Sequence, residues 1–569
     1  MKPMLLSSGT PHNLQAQALH RAESIRQMER TLGADLPAHE LMTRAGRSAA
    51  ALARAITPHA RSIWIACGPG NNGGDGLMAA AFLAPWARQA RVDVSVGWCG
   101  SPHTAPPDAR HAWELAVAAG VRWADHPPPG CDLGIDALLG IGARAPTQSS
   151  AQWDFIQASL LALHTQCGTR LSLDVPTGLC ADTGAIYIAD YPYKSSEKGT
   201  FCLTFIAAKP GLFTGHGRAL AGDIWLDDLG WSQLHVAPAL PPTPTAWLGI
   251  PGHTLSTGHT EAPVHHTHKG LLGDVWVLGG QGKPQGQSMA GAAILAARAA
   301  LHAGAGRVLV ALLDNEAPSW DAGQPELMLR GATSLHGLAA LPTGVWVCGC
   351  GGGSAIEAYL PRVIHEAQAL VLDADALNTV SRSADLRTAL RQRGERGWPT
   401  VITPHPLEAA RLLGQTTLEV QADRIQAAQT LASDLRCVCV LKGSGTVVAS
   451  PTGMVCINPS GNGRLSTAGT GDVLAGVMGA ALAAGARVWP DQPRHAQPWA
   501  WWDEALLPDV LSAVWSHGLA ADQWEHPHAA EHTLTASELA RRITPPASAR
   551  FAAAPPAPER TGPPRPPAG

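Results

Sequence analysis

The residues best suited to chemistry lie in one glycine-rich stretch of the second half, Asn458 to Gly476. At its centre is the run AGTGD, which ends at Asp472 and is followed at once by an apolar helical pattern over residues 473–483. Glycines let a backbone approach a ligand closely, and the N–H groups at the start of the predicted helix would face an anion in the loop. Asp472, in the first helical turn, could accept a proton from a substrate hydroxyl. The pattern predicts a site for phosphoryl transfer, and its alternative is a plain turn with an ordinary helix N-terminal charge.

A second glycine loop, GPGNNGGDG at residues 68–76, lies in the first half between a strand pattern and a helical pattern. This layout is typical of a phosphate-binding α/β crossover, although the loop is neither G-x-G-x-x-G nor followed by a P-loop lysine. Two further strand patterns end in Asp136 and Asp174. Because ligands bind beyond the carboxyl ends of parallel strands, these three regions are predicted to form one pocket. For Asp174 the alternative is a turn-forming aspartate before a proline.

Strand and helix patterns alternate along both halves of the chain. In the first half, strands are expected at 61–67, 92–98, 133–137, 170–174 and 201–206, and helices within 14–56 (clearest over 36–56) and at 77–87, 108–119 and 152–164. In the second half, strands are expected at 274–278, 307–313, 344–348, 369–372, 400–402 and 437–441, and a helix at 290–303. This alternation predicts an α/β fold, with an N-terminal Rossmann-like three-layer domain and a second α/β domain.

Composition excludes several classes of protein. A length of 569 residues predicts more than one core, and a net charge of −4 without a basic patch argues against nucleic-acid binding. No apolar run is long enough to span a membrane. The eleven cysteines are scattered and lack the C-x-x-C spacing of zinc or redox sites, which predicts free thiols and a cytoplasmic location.

The expected domain limits follow from shifts in composition. Residues 1–13 are expected to be disordered, residues 14–235 to form the first domain, and residues 269–545 to form the second. The linker, 236–268, is rich in Pro, Thr, Gly and His, with an edge strand near 247–250, and its histidines are interpreted as solvated rather than metal-binding. Residues 487–508 are predicted to be a Trp- and Pro-rich insertion, either a surface loop or an oligomer contact. The Pro/Ala-rich tail, 546–569, is expected to be disordered.

The first half resembles the epimerase domain of the NAD(P)H-hydrate repair enzymes, on the motifs GPGNNGGDG, DALLGIGARAP, SLDVPTGL and AKPGLFTG. The resemblance implies a potassium ion bound by Asn72, Asp136 and Thr177, and Asp174 as the catalytic acid/base. Oxygen-only ligands suit such a hard cation. The residues that the resemblance assigns to the damaged nucleotide are Asn71, Asn72, Gly73, Gly74, Asp75, Gly140, Ile141, Gly142, Ala143, Arg144, Ala145, Pro146 and Asp174. The segment DYPYKSSEK, 190–198, departs from the expected pattern but includes no site residue.

The second half resembles the ADP-dependent NAD(P)H-hydrate dehydratases of the ribokinase-like superfamily, on VLDADALN, TPHPLEAARLLG, LKGSGT, AGTGDVLAG and HGLAAD in that order. The resemblance implies that Asp472, the catalytic base, also contacts the hydrated nucleotide together with Ala292, Gly351 and His405. Adenine-nucleotide binding is implied for Lys442, Gly443, Ser444, Gly445, Thr446 and Gly471. Cys350 stands where this family usually has proline. For His405 the alternative is a capping or packing histidine.

Together the two resemblances imply a bifunctional enzyme that repairs NADHX and NADPHX. The first domain would interconvert the R and S epimers, and the second would dehydrate the S form at the expense of ADP, with Mg²⁺, giving AMP and phosphate. A homo-oligomer is expected, since ribokinase-like domains often assemble. Two rivals stay open: a small-molecule kinase of the ribokinase type, and a non-enzymatic first domain that senses nucleotides or binds protein.

Overall fold

The structure is a computed structural model, and it describes residues 1–5, 13–142, 150–192, 199–233, 242–251, 254–256, 265, 268–282, 288–314, 316, 319–486, 502–525 and 532–545. These residues form two compact units. The first unit comprises residues 1–254 and 403–463, and the second comprises residues 255–402 and 464–569, each within the described ranges. The predicted division into domains at 235/236 and 268/269 stays a prediction.

The strands are short, and most are fully buried. In the first part of the chain they are β1 (Lys2–Leu5), β2 (Asn13–Gln15), β3 (Gln17–Leu19), β4 (Ser62–Cys67), β5 (Asp93–Trp98), β6 (Arg122–Trp123), β7 (Cys131–Ala137), β8 (Cys167–Leu173), β9 (Thr200–Phe205), β10 (Asp223–Asp227), β11 (Ala246–Leu248) and β12 (Thr254–Ser256). Further along they are β13 (Asp274–Gly279), β14 (Arg307–Leu312), β15 (Met328–Gly331), β16 (Val345–Cys348), β17 (Ala369–Leu372), β18 (Thr400–Ile402), β19 (Val438–Leu441), β20 (Val447–Ala449) and β21 (Val455–Ile457).

The helices separate these strands along the chain. They are α1 (Ala22–Gly33), α2 (Glu40–Ile56), α3 (Asn71–Ala90), α4 (Pro107–Ala118), α5 (Ala151–Gln166), α6 (Gly217–Ala221), α7 (Ala290–His302), α8 (Leu360–Glu366), α9 (Ala374–Arg382), α10 (Ala384–Glu395), α11 (Pro406–Leu413), α12 (Thr417–Ala422), α13 (Arg424–Leu435), α14 (Thr470–Gly485), α15 (Leu507–Asp522) and α16 (Ala536–Arg542). None of the helices in the described ranges combines the length and apolar character needed to cross a bilayer.

The first unit contains a sheet in the order β1-β10-β9-β8-β7-β4-β5-β6, parallel except for the antiparallel edge pair β1–β10. Ile135 of β7 faces a core shared with α2 and α3. A Cβ on its neighbour Gly134 would instead meet Leu163 of α5 at 2.6 Å. Because successive strand residues face opposite sides, helices cover both faces of the sheet, and the predicted three-layer α/β arrangement is confirmed.

The first unit also holds five strands side by side, β19, β20, β21, β11 and β3. Strand β11 runs parallel to β21 and antiparallel to β3. The strand predicted near 247–250 is therefore present as β11, but its prediction as an edge strand was wrong, because both of its sides are paired. It pairs with residues more than 200 positions away in the sequence, and β3 flanks it on the other side.

The second unit is built on six parallel strands in the order β15-β14-β13-β16-β17-β18. Helices α7 and α14 pack together through small residues, because a Cβ on Gly476 would lie 1.9 Å from the Ala296 carbonyl oxygen. A Cβ on Gly479 would meet Val347 of β16 at 2.6 Å, which places α14 directly against the sheet. This unit therefore has the second α/β fold that the sequence predicted.

Four further local predictions were wrong. The described part of the predicted insertion, residues 502–508, is helical and not a surface loop, and Trp502, Leu506 and Leu507 are buried. Residues 2–5 form β1 and not a disordered segment, because they pair with β10 at the sheet edge. The helical pattern does not begin at residue 14, because residues 13–15 and 17–19 are strands and the first helix starts at Ala22. Helix α3 begins at Asn71, well inside the stretch predicted to be a loop.

Candidate active sites

A pocket of about 470 Å³ opens at the carboxyl ends of β4, β7 and β8 in the first unit. It brings together most of the residues that the sequence assigned to this end of the sheet. They are Asn71, Asn72, Asp75, Gly140, Ile141, Gly142 and Asp174. Ala143, Arg144, Ala145 and Pro146 lie outside the described residues. The roles given to all these residues stay predictions.

The start of α3 explains why its first turn is so rich in glycine. A Cβ on Gly73 would lie 1.9 Å from the Gly68 carbonyl oxygen, and one on Gly74 would meet the Met42 side chain at 2.5 Å. Gly73 and Gly74 are therefore required for close packing and do not line the pocket themselves. Asn72 and Asp75, on the same turn, line it. The N-terminal N–H groups of α3 thus belong to the pocket region, as expected of an anion site.

Asp174 sits at the end of β8 in the left-handed conformation, with φ +66. This conformation is uncommon for residues other than glycine, and it clusters at functional sites. The Asp174 carboxylate accepts a short hydrogen bond from the ammonium group of Lys209. Lys209 is fully buried and also donates to Thr204 Oγ1 at 2.8 Å and to the Phe205 carbonyl at 2.9 Å. The lysine therefore fixes the orientation of the carboxylate and balances its charge.

Two more carboxyl groups, those of Asp75 and Glu29, line the same pocket. Loss of hydration, followed by repulsion from the Asp174 carboxylate, raises the pKa of Asp75 well above its usual range. The same two causes raise the pKa of Glu29. Asp75 can thus hold a proton beside a carboxylate that is stabilised by Lys209. Carboxyl groups whose surroundings favour opposite protonation states are suited to acting as an acid and a base.

We expect the substitution Asp75→Asn to change how stability depends on pH. Because its folded-state pKa is raised, Asp75 keeps a proton at pH values above about 4, where the unfolded chain has lost it. Wild-type stability then falls as pH rises through this window, and Asp75→Asn does not suffer that loss. The free energy of unfolding of the variant, relative to wild type, should rise by up to about 1.4 kcal/mol per pH unit. Denaturant unfolding between pH 4 and 8 measures this, with the exposed Asp125→Asn as the control. A pH-independent difference would contradict it.

Asp136 and Thr177 form a buried pair behind the pocket. The Thr177 hydroxyl donates to Asp136 Oδ1 at 2.7 Å, and the Thr177 backbone N–H donates to Oδ2 at 2.9 Å. Burial raises the pKa of Asp136, against the opposing effect of these hydrogen bonds. Neither amide atom of Asn72 has a hydrogen-bond partner in the described structure, although both are buried. Buried amide atoms without partners are rare and require an explanation.

In the second unit, Asp472 lies in the first turn of α14, as predicted. Its carboxylate, the Asp373 carboxylate and the Cys350 thiol each offer an atom within 4.8 Å of the other two. Asp373 and Cys350 are buried, whereas Asp472 is partly exposed. The preceding Gly469 has φ +89, and a Cβ there would meet Leu295 at 2.7 Å. Gly469 is therefore needed to turn the chain into the helix beside α7.

Ala292 and Gly351 are neighbours in the second unit. Gly351 has φ +59, and a Cβ on it would lie 3.0 Å from the Ala292 Cβ and 2.6 Å from the Met289 carbonyl oxygen. The preceding Cys350, which replaces the proline usual in the resembling family, contributes the thiol beside Asp373 (Sγ–Oδ2 4.0 Å). The residue before Gly351 is thus in contact with Asp373, which immediately precedes α9.

His405 caps α11 in the first unit. Its Nδ1 accepts hydrogen bonds from the N–H groups of Leu407 at 3.1 Å and Glu408 at 3.3 Å. The Glu408 carboxylate accepts from the backbone N–H of His405 at 2.8 Å, which completes a capping box. Through Nδ1, His405 therefore has the capping role that the sequence analysis left open as the alternative. The other ring nitrogen, Nε2, lies 3.3 Å from Glu408 Oε1.

Lys442, Gly443, Ser444, Gly445 and Thr446 form the turn between β19 and β20, here called the KGSGT turn. Gly443 and Gly445 have φ values of +139 and +59. Within the described residues, the N–H groups of Gly443, Ser444 and Gly445 donate to no protein acceptor. Such a turn presents its N–H groups to an anion.

Three residues of these sites were not assigned by the sequence reasoning. Lys209 lies in the AKPGLFTG motif, and a lysine inside a run of small and apolar residues was a usable signal. The sequence signals for Glu29 and Asp373 were weaker. Glu29 lies in an ordinary amphipathic helix, and Asp373 is one of several aspartates at strand ends.

Both units are α/β, and each carries acidic side chains near strand ends and in a first helical turn, in the region where α/β enzymes bind their ligands. Comparison with known proteins agrees with this arrangement. Residues 38–211 match the family model described as the YjeF-related protein N-terminus, and residues 275–545 match the model for NAD(P)H-hydrate dehydratase.

Individual relatives match most of the chain. It is 33% identical over 475 residues to the bifunctional NAD(P)H-hydrate repair enzyme of Coxiella burnetii, covering 82% of this chain and 90% of the relative. The corresponding Escherichia coli enzyme is 35% identical over 488 residues, covering 81% and 84%. A Bacillus subtilis ADP/ATP-dependent NAD(P)H-hydrate dehydratase, crystallised with ATP/Mg²⁺, is 28% identical and covers 50% of this chain and 91% of its own, with a TM-score of 0.37. The chain belongs to the family of bifunctional NAD(P)H-hydrate repair enzymes.

Proposed function

We propose that this chain epimerises R- and S-NAD(P)HX and dehydrates the S form to NAD(P)H at the expense of ADP, giving AMP and phosphate. The single observation that carries the epimerase half is the pocket in which Lys209 anchors Asp174 opposite Asp75 and Glu29. Family membership supports both activities.

In the epimerase half, Asp174 would act as the acid/base at the hydroxylated ring carbon. Its carboxylate is oriented by Lys209, so no reorganisation is needed when a proton moves. Asp75 lines the same pocket and its pKa is raised by loss of hydration, so in its protonated form it could supply a proton to the hydroxyl oxygen. Arg26 also lines the pocket and offers a guanidinium to the anionic nucleotide.

In the dehydratase half, Asp472 would deprotonate the substrate hydroxyl, which then takes the terminal phosphoryl group of ADP. Loss of that group as phosphate, with a ring proton, restores the nicotinamide double bond, and AMP is released. The α14 N-terminus with Gly471 would stabilise the transferring phosphoryl group, and the KGSGT turn would hold the adenine nucleotide. His405, Ala292 and Gly351 would contact the hydrated nucleotide.

Two cations belong to this proposal. Bound Mg²⁺ neutralises phosphate charge during phosphoryl transfer, and we place it with the ADP. Potassium is proposed for the epimerase half, held by Asn72, Asp136 and Thr177. The unpartnered amide of Asn72 supports this fit, since its Oδ1 is a buried oxygen in need of a partner. A cation beside Asp136 would also offset the cost of burying its charged carboxylate, which is the main cause of its raised pKa.

Potassium should raise the thermal stability of the wild-type protein compared with tetramethylammonium at equal ionic strength. Each kcal/mol of binding energy corresponds to a shift of about 2–4 °C in a unit of this size. Asn72→Ala should lose this shift, whereas the control Asn71→Ala, which removes the exposed neighbouring amide, should keep it. Thermal unfolding in both salts is the measurement. A full potassium shift in Asn72→Ala would exclude Asn72 as a ligand.

The whole function is tested by following NADH absorbance with purified protein, mixed R- and S-NADHX, Mg²⁺ and K⁺, with ADP, with ATP and with neither. ADP-dependent recovery of the entire mixture is the expected result. Recovery of only the S fraction would refute the epimerase half. If no NADH forms with either nucleotide, and a phosphorylated product accumulates from another hydroxylated metabolite, the chain is a small-molecule kinase instead.

We further propose the domain division given by the sequence, with the epimerase in residues 14–235, the dehydratase in residues 269–545, the linker between them, and residues 546–569 as a separate tail. The matches at 38–211 and 275–545 fall within these two domains and support it. A cytoplasmic, homo-oligomeric enzyme is also part of the proposal, supported for location by the free cysteines.

A further inference from the structure

The KGSGT turn is fixed in place from outside its own hairpin. Its two glycines adopt positive φ values that are accessible mainly to glycine, and Ser444 is exposed. The residues of the turn therefore do little to restrict its conformation. A Cβ on Gly445 would lie 1.8 Å from the Phe213 carbonyl oxygen. The turn is therefore packed directly on the segment Phe213–Gly215, which follows the AKPG sequence of the first half.

Hydrogen bonds from this segment hold the turn's carbonyl groups. The Gly215 N–H donates to the Ser444 carbonyl at 3.1 Å. The Thr214 hydroxyl lies 3.0 Å from the Gly445 carbonyl oxygen and 3.3 Å from that of Ser444. With these carbonyls held on one side, the N–H groups of the turn are directed to the other side, where a nucleotide phosphate would bind.

A buried arginine extends this network. Arg424 is 1% exposed, and its Nε donates to Thr214 Oγ1 at 3.1 Å. Nη2 donates to the carbonyls of Leu441 and Lys442, both at 3.2 Å, and Nη1 donates to Gln421 Oε1 at 2.8 Å. A hydroxyl has one hydrogen to donate and lone pairs to accept. Thr214 therefore accepts from Arg424 and donates to the turn, forming a chain in which each bond strengthens the next.

The position of Thr214 in the sequence is informative. It is fully buried and lies five residues after Lys209, the partner of Asp174, across the single 3₁₀ turn Pro210–Leu212. One short segment thus anchors the candidate epimerase carboxylate at one end and supports the KGSGT turn at the other.

We infer that Thr214 is a positioning residue for nucleotide binding by the KGSGT turn, supplied by the half of the chain that carries the other activity. This inference rests on the proposed function, because the turn is assigned there to the adenine nucleotide. Thr214 does not contact the nucleotide. It acts through the carbonyls of Ser444 and Gly445.

The decisive variant is Thr214→Val, which keeps the shape of the side chain and removes the hydroxyl. The KM for ADP should rise roughly tenfold, as expected for loss of one or two buried hydrogen bonds. The kcat, the KM for S-NADHX and the rate of epimerisation should stay within about twofold of wild type. Thr214→Ser, which restores the hydroxyl, should recover the KM for ADP.

A closely matched control exists in the second unit. Thr400 is also fully buried, and its hydroxyl accepts from Nε of a buried arginine, Arg393, at 3.0 Å. Thr400→Val also removes a hydroxyl that accepts from a buried arginine, but in the described structure that hydroxyl makes no hydrogen bond to the KGSGT turn. The KM for ADP should therefore not change in this variant. If Thr214→Val is recovered unfolded, Thr214→Cys, with similar volume and a much weaker donor, carries the same expectation.

The outcomes separate this inference from the function beneath it. A wild-type protein without ADP-dependent dehydration would refute the proposed function. An active wild type with an unchanged KM for ADP in Thr214→Val or Thr214→Cys would refute the inference alone. Parallel loss of both activities, or an equal rise of the KM in Thr400→Val, would show a general structural role and would also overturn it.

Discussion

Asp472→Asn is expected to lower the rate of ADP-dependent dehydration by about 10²–10⁴-fold and to leave epimerisation unchanged. An amide of the same size cannot take the proton from the substrate hydroxyl, so the hydroxyl remains a poor nucleophile towards ADP. The cluster with Asp373 and Cys350 keeps its shape, since asparagine is tolerated in a first helical turn. The measurement is NADH formation from pure S-NADHX with saturating ADP, beside epimerisation of the R form.

The control for this variant is Asp385→Asn. Asp385 is an exposed acidic residue in the first turn of α10, also in the second unit. Its substitution removes the same favourable interaction with a helix N-terminus, worth about 0.3–1 kcal/mol, without touching the cluster. Dehydration should be normal in Asp385→Asn. An Asp472→Asn protein that retained more than about a tenth of the wild-type rate would exclude Asp472 as the base.

Asp174→Asn should have the reverse effect, lowering epimerisation by about 10²–10⁴-fold while dehydration of S-NADHX continues at the wild-type rate. The variant loses the carboxylate that moves the proton and leaves the buried Lys209 without its counter-charge. Removing one member of such a pair is destabilising by about 3–5 kcal/mol. Thermal unfolding should therefore be measured with the two activities, at a temperature at which the variant is folded.

Asp190→Asn is the matched control for that experiment. Asp190, like Asp174, has a positive φ, 52° against 66°, but it is exposed. Asparagine accepts this conformation at both positions, so backbone strain is equal in the two variants. Epimerisation should be normal in Asp190→Asn. If Asp174→Asn epimerises at the wild-type rate in its folded state, Asp174 is not the acid/base.

The sequence predicted the α/β class and most elements, because buried parallel strands and small-residue helices have strong local patterns. Strand β8, predicted at 170–174, is found at Cys167–Leu173, and α7, predicted at 290–303, at Ala290–His302. Residues 17–19 were missed because three residues are too few to show an alternating pattern beside an amphipathic helix. The start of α3 at Asn71 was missed because glycine and asparagine are poor helix formers, and here tertiary packing overrides propensity.

The sites were predicted less completely than the fold. The glycine loops and the aspartates at strand ends were visible as motifs, so Asp75, Asp174 and Asp472 could be selected. The bond of Lys209 to Asp174 and that of Thr214 to Gly445 could not, because they join residues 35 and 231 positions apart. Such contacts depend on how strands are ordered in space, which local periodicity does not contain.

The pairing of β11 with β21, and of β3 with β11, has a consequence for how the two halves can be separated. A protein cut in the linker and freed of residues 1–251 would expose the hydrogen-bonding edge of β21. Bare strand edges pair with other chains, so such a fragment should aggregate or swap strands. In the full-length chain, β11 therefore protects the edge of β21. A stable dehydratase fragment would have to retain residues 246–248, or carry charged residues, a bulge or a proline at that edge.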